Sequence, residues 1–286
     1  MIRIGLAGWG DHADLYTDGS SSRDKLKTYA GHFPVVEVDS SFYAVQPVRN
    51  AEKWVAETPA RFGFVFKAYQ GMTGHLRGAQ PTHPFESKEA MFQAFCESIQ
   101  PVVAAGKLKA VLFQFPPWFD CTREHVNELR EAKMLMEGLP VALEFRNRTW
   151  FTPDMEGRTL SFMEREGWIH SICDEPQAGI GSIPTVLQAT DKKLTIVRFH
   201  GRNESGWNSD GRERHSWREV RYLYRYSERE LLEWKERLER LQEQTGEINV
   251  IFNNNSGGDA AANAKQLMAM LGIGDEELGP RQLDLF

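Results

Sequence analysis

The stretch Val141-Ala142-Leu143-Glu144-Phe145-Arg146 decides the fold. It starts as an apolar run suited to a strand buried on both faces, the condition of strands in parallel sheets. It ends in Glu144 and Arg146, which stand two residues apart and so share one side of a strand. A buried strand that ends in charge is a candidate wall of a binding site. The other strands are therefore read for the same ending.

Eight β-rich runs recur: Arg3 to Gly8, Val35 to Asp39, Gly63 to Lys67, Ala110 to Phe115, Val141 to Arg146, Trp168 to Cys173, Thr195 to His200 and Asn249 to Asn253. Segments of helical length separate most of them, at 22–31, 48–57, 84–105, 122–137, 153–167, 227–244 and 258–271. Thr122 is placed to cap its helix, and Ser227 with Glu230 three residues on forms a capping box. Strands alternating with helices build a parallel sheet. Eight such units in a chain of 286 residues predict a single α/β domain, a (β/α)8 TIM-type barrel over 1–274. The open doubly wound sheet is the alternative, weakened by the absence of a Gly-x-Gly-x-x-Gly turn after the first strand. Gly and Pro crowd the segment from Glu175 to Pro184, so the sixth helix is expected to be irregular or missing. A long loop from Gly201 to Tyr226 follows the seventh strand; its arginines and aromatics could cover a pocket or stack on bases.

With 41% hydrophobic and 26% charged residues, the composition excludes disordered and fibrous classes. The net charge of -6 and pI near 5.8 exclude a broad basic coat, leaving only a local patch for nucleic acid. No apolar run is long enough to span a bilayer, and a cytoplasmic location is expected. Cys96, Cys121 and Cys173 read as reduced, buried thiols.

In a (β/α)8 enzyme the chemistry sits at the carboxyl ends of the strands. Three strands here end in alternating polar pairs, Glu37 with Asp39, Glu144 with Arg146, and Arg198 with His200. Lys67, Gln114, Asp174 and Asn253 close others, and the first turn offers Trp9 and His12. Burying so many charges for structure alone costs more than an apolar filling would. Function explains them better, and three readings compete. In the first, Lys67, Arg146, Arg198 and Arg202 clamp a phosphate or carboxylate, with Glu37, Asp39 or Glu144 as general base and His200 as proton shuttle. In the second, His12, Glu37, Glu144, Asp174 and His200 gather a divalent metal. In the third, Glu37 and Glu144 form a glycosidase pair among aromatics such as Trp9, Tyr43, Trp118 and Trp150. The interleaved cations favour the first, a phosphodiesterase or nuclease-like hydrolase without a cofactor. The alternatives are a non-catalytic phosphate- or nucleic-acid-binding module and a sugar-phosphate isomerase or glycosidase. Within the first reading, Arg146 holds the ligand's negative charge while Glu144 handles its proton. The glycine-bearing loop after the third strand adds His75 and Arg77 as ligand contacts.

The blocks Gly8-Trp9, Val36-Glu37-Val38-Asp39-Ser40-Ser41-Phe42-Tyr43, Phe64-Val65-Phe66-Lys67, Gln114-Phe115-Pro116-Pro117, Glu144-Phe145-Arg146, Arg198-Phe199-His200-Gly201-Arg202, Tyr224-Arg225-Tyr226-Ser227 and Phe252-Asn253-Asn254 come in order along the chain. They resemble the signature blocks of the YecE-like proteins, catalogued as domain of unknown function seventy-two. The resemblance implies a TIM-type barrel with a suggested likeness to metal-dependent endonucleases of that fold. It also implies a pocket lined by Glu37, Lys67, Gln114, Glu144, Arg146, Arg198, His200, Arg202 and Asn253.

The chain ends in a tail, 275–286, expected to be flexible. Its last residues, Gln282-Leu283-Asp284-Leu285-Phe286, resemble the short peptide by which bacterial replication and repair proteins dock on the DNA polymerase sliding clamp. Gln282, Leu285 and Phe286 would be the anchors of that contact.

Overall fold

The computed structural model describes residues 1–16, 24–76, 84–207, 220–274 and 278–280. The arginines and tryptophan expected at 212–218 and the tail anchors Gln282, Leu285 and Phe286 lie outside the described residues, as does Arg77.

Eight parallel strands close into one barrel in sequence order. They are β1 (Ile2–Ala7), β2 (Val35–Val38), β3 (Gly63–Lys67), β4 (Leu108–Gln114), β5 (Val141–Glu144), β6 (Ile169–Asp174), β7 (Leu194–Phe199) and β8 (Glu247–Phe252). β8 closes the barrel by pairing with β1, Ile4 opposite Val250 and Leu6 opposite Phe252. The main helices between strands are Lys25–Ala30, Val48–Glu57, Lys88–Ala104, Arg123–Leu135, Glu156–Glu166, Glu228–Gln242 and Ala260–Met270. Thr122 caps its helix by accepting from the His125 N–H, and the Ser227/Glu230 capping box is formed. No regular helix stands between β6 and β7, as the glycines and prolines there require. After β7 the described part of the connection holds one short turn, Glu204–Trp207. Among the described residues, no helix is long and apolar enough to cross a membrane.

Period-two alternation divides the strand side chains between two cores. Phe113, Trp168, Phe199 and Trp234 pack between strands and helices. Val35, Val65, Ala110, Leu112, Ala142, Ile169, Leu194, Ile196 and Ile251 fill the barrel itself. At the amino-terminal end the floor is closed by charge. Glu247 receives Lys109 at 2.9 Å and Arg3 at 3.4 Å beside a cavity of about 460 Å³ that Lys133, Asp191 and Lys193 also line. This is the end of the fold associated with stability, opposite the end where its chemistry sits.

The barrel closes tightly at β1. A Cβ added to Gly5 would lie 1.9 Å from the Val35 carbonyl oxygen of β2, a backbone atom that cannot move without parting the strands. Gly5→Ala is expected to cost about 3 kcal/mol or more in chemical denaturation. Gly10→Ala, with nothing within 4 Å of the added carbon, is expected to leave the midpoint unchanged.

Candidate active site

At the carboxyl end, the inward positions of β2, β5 and β7 bring Glu37, Glu144 and Arg198 into contact. Arg198 binds Glu37 side-on, Nη2 to Oε1 at 2.6 Å and Nε to Oε2 at 2.9 Å. Its remaining Nη1 donates to both oxygens of Glu144, at 2.9 and 2.8 Å, and to Gln114 Oε1 at 3.2 Å. Arg146, just past β5, continues the contact. Its Nη2 lies 2.6 Å from Glu144 Oε1, and its Nη1 donates to Glu175 Oε2 at 2.5 Å. The result is one buried chain, Glu37 to Arg198 to Glu144 to Arg146 to Glu175, with carboxylates at both ends and in the middle. Each of the five is at most 4% exposed.

The three carboxyl groups do not titrate alike. Burial pushes Glu37 up to about 7, with Arg198 pulling the other way. Burial pushes Glu175 up to about 7 against the pull of Arg146 and the Ile183 N–H. Burial acts on Glu144 too, but Arg198 and Arg146 on its two sides outweigh it and hold it well below the usual carboxylate range. Ser171 Oγ adds a further donor to Glu144 at 3.0 Å. An ionised carboxylate so enclosed is a weak base, so the proton-handling task expected of Glu144 does not suit it.

His200 sits on Arg146 Nη2 at 2.7 Å through Nε2. A guanidinium can only donate, so Nε2 accepts and the proton is on Nδ1. The Asn253 amide nitrogen is placed 3.1 Å from Nδ1; a proton on Nδ1 calls for the flipped amide, with its oxygen toward the ring. Burial, with Arg146 and Arg198 beside it, holds the imidazole well below its ordinary value, and it is neutral.

Other residues expected in the pocket stand apart from this chain. Asp39 and Lys67 pair at 3.5 Å beside Glu37, with Lys67 over the Phe42 ring. Trp9 packs edge-on against Trp54, and His75 bonds Thr73 and meets Phe42 and Trp118 edge-on, on the rim. Asp174 has the opposite parity to Cys173, so it faces the helices. There it takes Arg202 at 3.0 Å, and Arg202 reaches Glu230 at 3.2 Å. Arg202 is therefore committed to an ion pair outside the pocket. His12 ties the loops after β1 and β8 together, bonding Asn255 at 3.0 Å and the Gly8 carbonyl at 3.1 Å. The expected metal set is thereby broken, since neither His12 nor Asp174 faces Glu37, Glu144 and His200.

Glu144, Cys173 and His200 do offer ligand atoms within 4.8 Å of one another. The Arg146 guanidinium lies between two of them, and burial keeps the Cys173 thiol protonated. A divalent cation would meet two guanidinium charges there, so this arrangement does not fit one. Sequence reasoning overlooked Glu175, treating it as part of a Gly- and Pro-rich connector. Counting by two from Ser171 through Cys173 reaches it, and that parity was the available signal.

Residues 3–284 match the family described as "Protein of unknown function DUF72". The chain belongs to the DUF72 family. It is 59% identical over 287 residues to the UPF0759 protein YunF of Bacillus subtilis (strain 168), the match covering all of both chains. The crystal structure of a DUF72 family protein from Enterococcus faecalis V583 is similar at a TM-score of 0.90 and 37% identity, covering 99% of this chain and 100% of that one. A DUF72 family protein from Thermotoga maritima MSB8 is similar at 0.77 and 28%, covering 95% and 99%. The (β/α)8 barrel is thus the DUF72 fold.

The shifted carboxyls set the pH response of stability. The folded pKa values of Glu37 and Glu175 lie above those of an unfolded glutamate, so their contribution is full below about pH 4.5 and is lost as pH rises through about 7. Glu144 has the opposite sign and loses its contribution only in acid. In urea titrations from pH 5 to 8.5, the stability of the parent is expected to fall relative to Glu37→Gln. Glu144→Ala, which leaves two buried guanidiniums undercompensated, is expected to cost about 3–5 kcal/mol at pH 7.

Proposed function

We propose that this DUF72 protein is an acid–base enzyme acting at the carboxyl-terminal mouth of its barrel on a small phosphate-bearing substrate, a phosphoester being the bond cleaved. The observation that carries the reading is the five-membered buried chain whose outer carboxyls have pKa values of about 7 while the middle one stays ionised. Pairs of titratable groups driven apart by their surroundings mark acid and base roles, and a pKa near the working pH suits proton transfer. Glu37 and Glu175 take the parts of base and acid. Glu144 fixes both guanidiniums, and neutral His200 positions Arg146.

The sign of the site favours an anion. With pKa values of about 7 the outer carboxyls are each about half protonated at pH 7, so the carboxylates of the chain roughly balance the two guanidinium charges of Arg146 and Arg198. The Arg221 guanidinium, 4.1 Å above the Trp207 ring, adds another cation. A neutral sugar gains little from that excess of positive charge, whereas a phosphate does. The aromatic and imidazole groups at the rim, Trp118 and His75, would give the non-ionic part of the substrate a surface to stack on.

Turnover should be sought on phosphomonoesters and phosphodiesters over pH 5 to 9. The expected rate profile is bell-shaped around neutral pH, and Glu37→Gln and Glu175→Gln each lower kcat about 100-fold or more. A parent that binds such ligands and turns none over, with both variants binding equally well, would instead be a non-catalytic binding module.

A further inference from the structure

Arg146 and Arg198 are neutralised by the protein's own carboxylates, so an incoming anion cannot simply add to them. Something must leave, and the geometry distinguishes the two ends of the chain. Glu37 is in β2 and holds Arg198 through two bonds, at 2.6 and 2.9 Å. Glu175 holds Arg146 through one, at 2.5 Å, and stands at the start of the connector that forms no regular helix before β7. Its other oxygen accepts the Ile183 N–H, at 2.7 Å, on that same connector. On Arg146, Nε is a buried donor with no acceptor among the described residues. Trp207 lies 5.5 Å from the guanidinium and keeps the group in place.

We propose that an oxyanion of the substrate is captured on Arg146 by exchange with Glu175, which leaves the guanidinium as the neutral acid. Anion binding and the uptake of one proton from solvent are then a single event; a singly charged oxyanion leaves the charge of the site the same before and after, and a dianion such as sulfate adds one negative charge. The exchange rests on the acid–base reading above, since it loads Glu175 with the proton that a general acid needs.

The groups facing Glu175 are consistent with this. Arg146 and Glu144 come from the β5 end, Arg221 from the connection after β7, and the Ile183 N–H from its own connector, with Cys173 one step back along β6. Two of these are cations and one is a fixed anion, so losing the Glu175 charge leaves local positive charge for the oxyanion. The protonated carboxyl can still accept the Ile183 N–H through its carbonyl oxygen, so the connector stays tethered as Glu175 leaves Arg146. A pKa of about 7 for Glu175 places the exchange within reach at neutral pH.

Sulfate, which does not itself titrate near neutral pH, is the probe. Calorimetric titration of the full chain with sodium sulfate, at constant ionic strength and in two buffers of different protonation enthalpy, counts the protons taken up. The expected result at pH 8 is close to one proton per sulfate, with affinity flat below about pH 7 and falling about tenfold per pH unit above it. Glu175→Gln, checked for folding by circular dichroism, should bind sulfate without pH dependence or uptake, while Glu37→Gln keeps the uptake. Binding without uptake in the parent, uptake undiminished in Glu175→Gln, or no sulfate binding would overturn the exchange. Loss of uptake alone, with turnover still sensitive to both glutamates, would sink the exchange and leave the acid–base reading standing.

Discussion

Two guanidiniums buried among three carboxylates are the constraint on which the rest of this molecule depends. Neither arginine could be left alone at 1–2% exposure, because an unpaired buried charge is far more costly than a paired one. Glu144 solves that problem for both at once. Its position between Arg198 and Arg146 keeps it ionised, and the two outer glutamates, each directly paired with one arginine among the described residues, are left with too little compensation for their burial. The contrast between the middle and the ends of the chain is thus a consequence of counting neighbours.

The barrel supplies the counting. β2, β5, β6 and β7 each present alternate residues to the interior, and below the charged layer those positions hold Val35, Ala142, Ile169 and Ile196, an apolar layer. Around it, Gln114, Ser171 and Asn253 supply neutral partners to Arg198, Glu144 and His200. The outward face of β6 uses its own charge differently. Asp174 pairs with Arg202 and fixes the connection after β7 against the helix that begins at Glu228. One strand therefore serves structure on one face and the site on the other.

Much of this was legible in the sequence because the strand period is short and rigid. Glu144 with Arg146, and Arg198 with His200, could be placed on common faces without knowing anything else, and Glu37 followed from the same rule. The closed barrel followed from eight alternating runs. What parity could not give was how far a strand continues. Glu175 stands one residue past the end of β6, Asp174 lies on the side of that strand that faces the helices, and the positive φ of Gly201 takes Arg202 off the face that Arg198 and His200 share. His12 was judged by its place after a strand, whereas a turn can aim a side chain at a neighbouring loop. The partner of each charge, which decides whether a carboxylate is a base or a fixed anion, depends on contacts up to 161 residues apart in sequence.

The outer carboxyls are tuned apart from the middle one. Carbon-13 NMR of the protein labelled at glutamate side-chain carboxyls, titrated from pH 4 to 9 and assigned with Glu37→Gln, Glu144→Gln and Glu175→Gln, measures this directly. The Glu37 and Glu175 resonances are expected to titrate near pH 7 while the Glu144 resonance stays that of a carboxylate throughout. Three resonances titrating together in the ordinary glutamate range, or Glu144 protonating before the outer two, would contradict it.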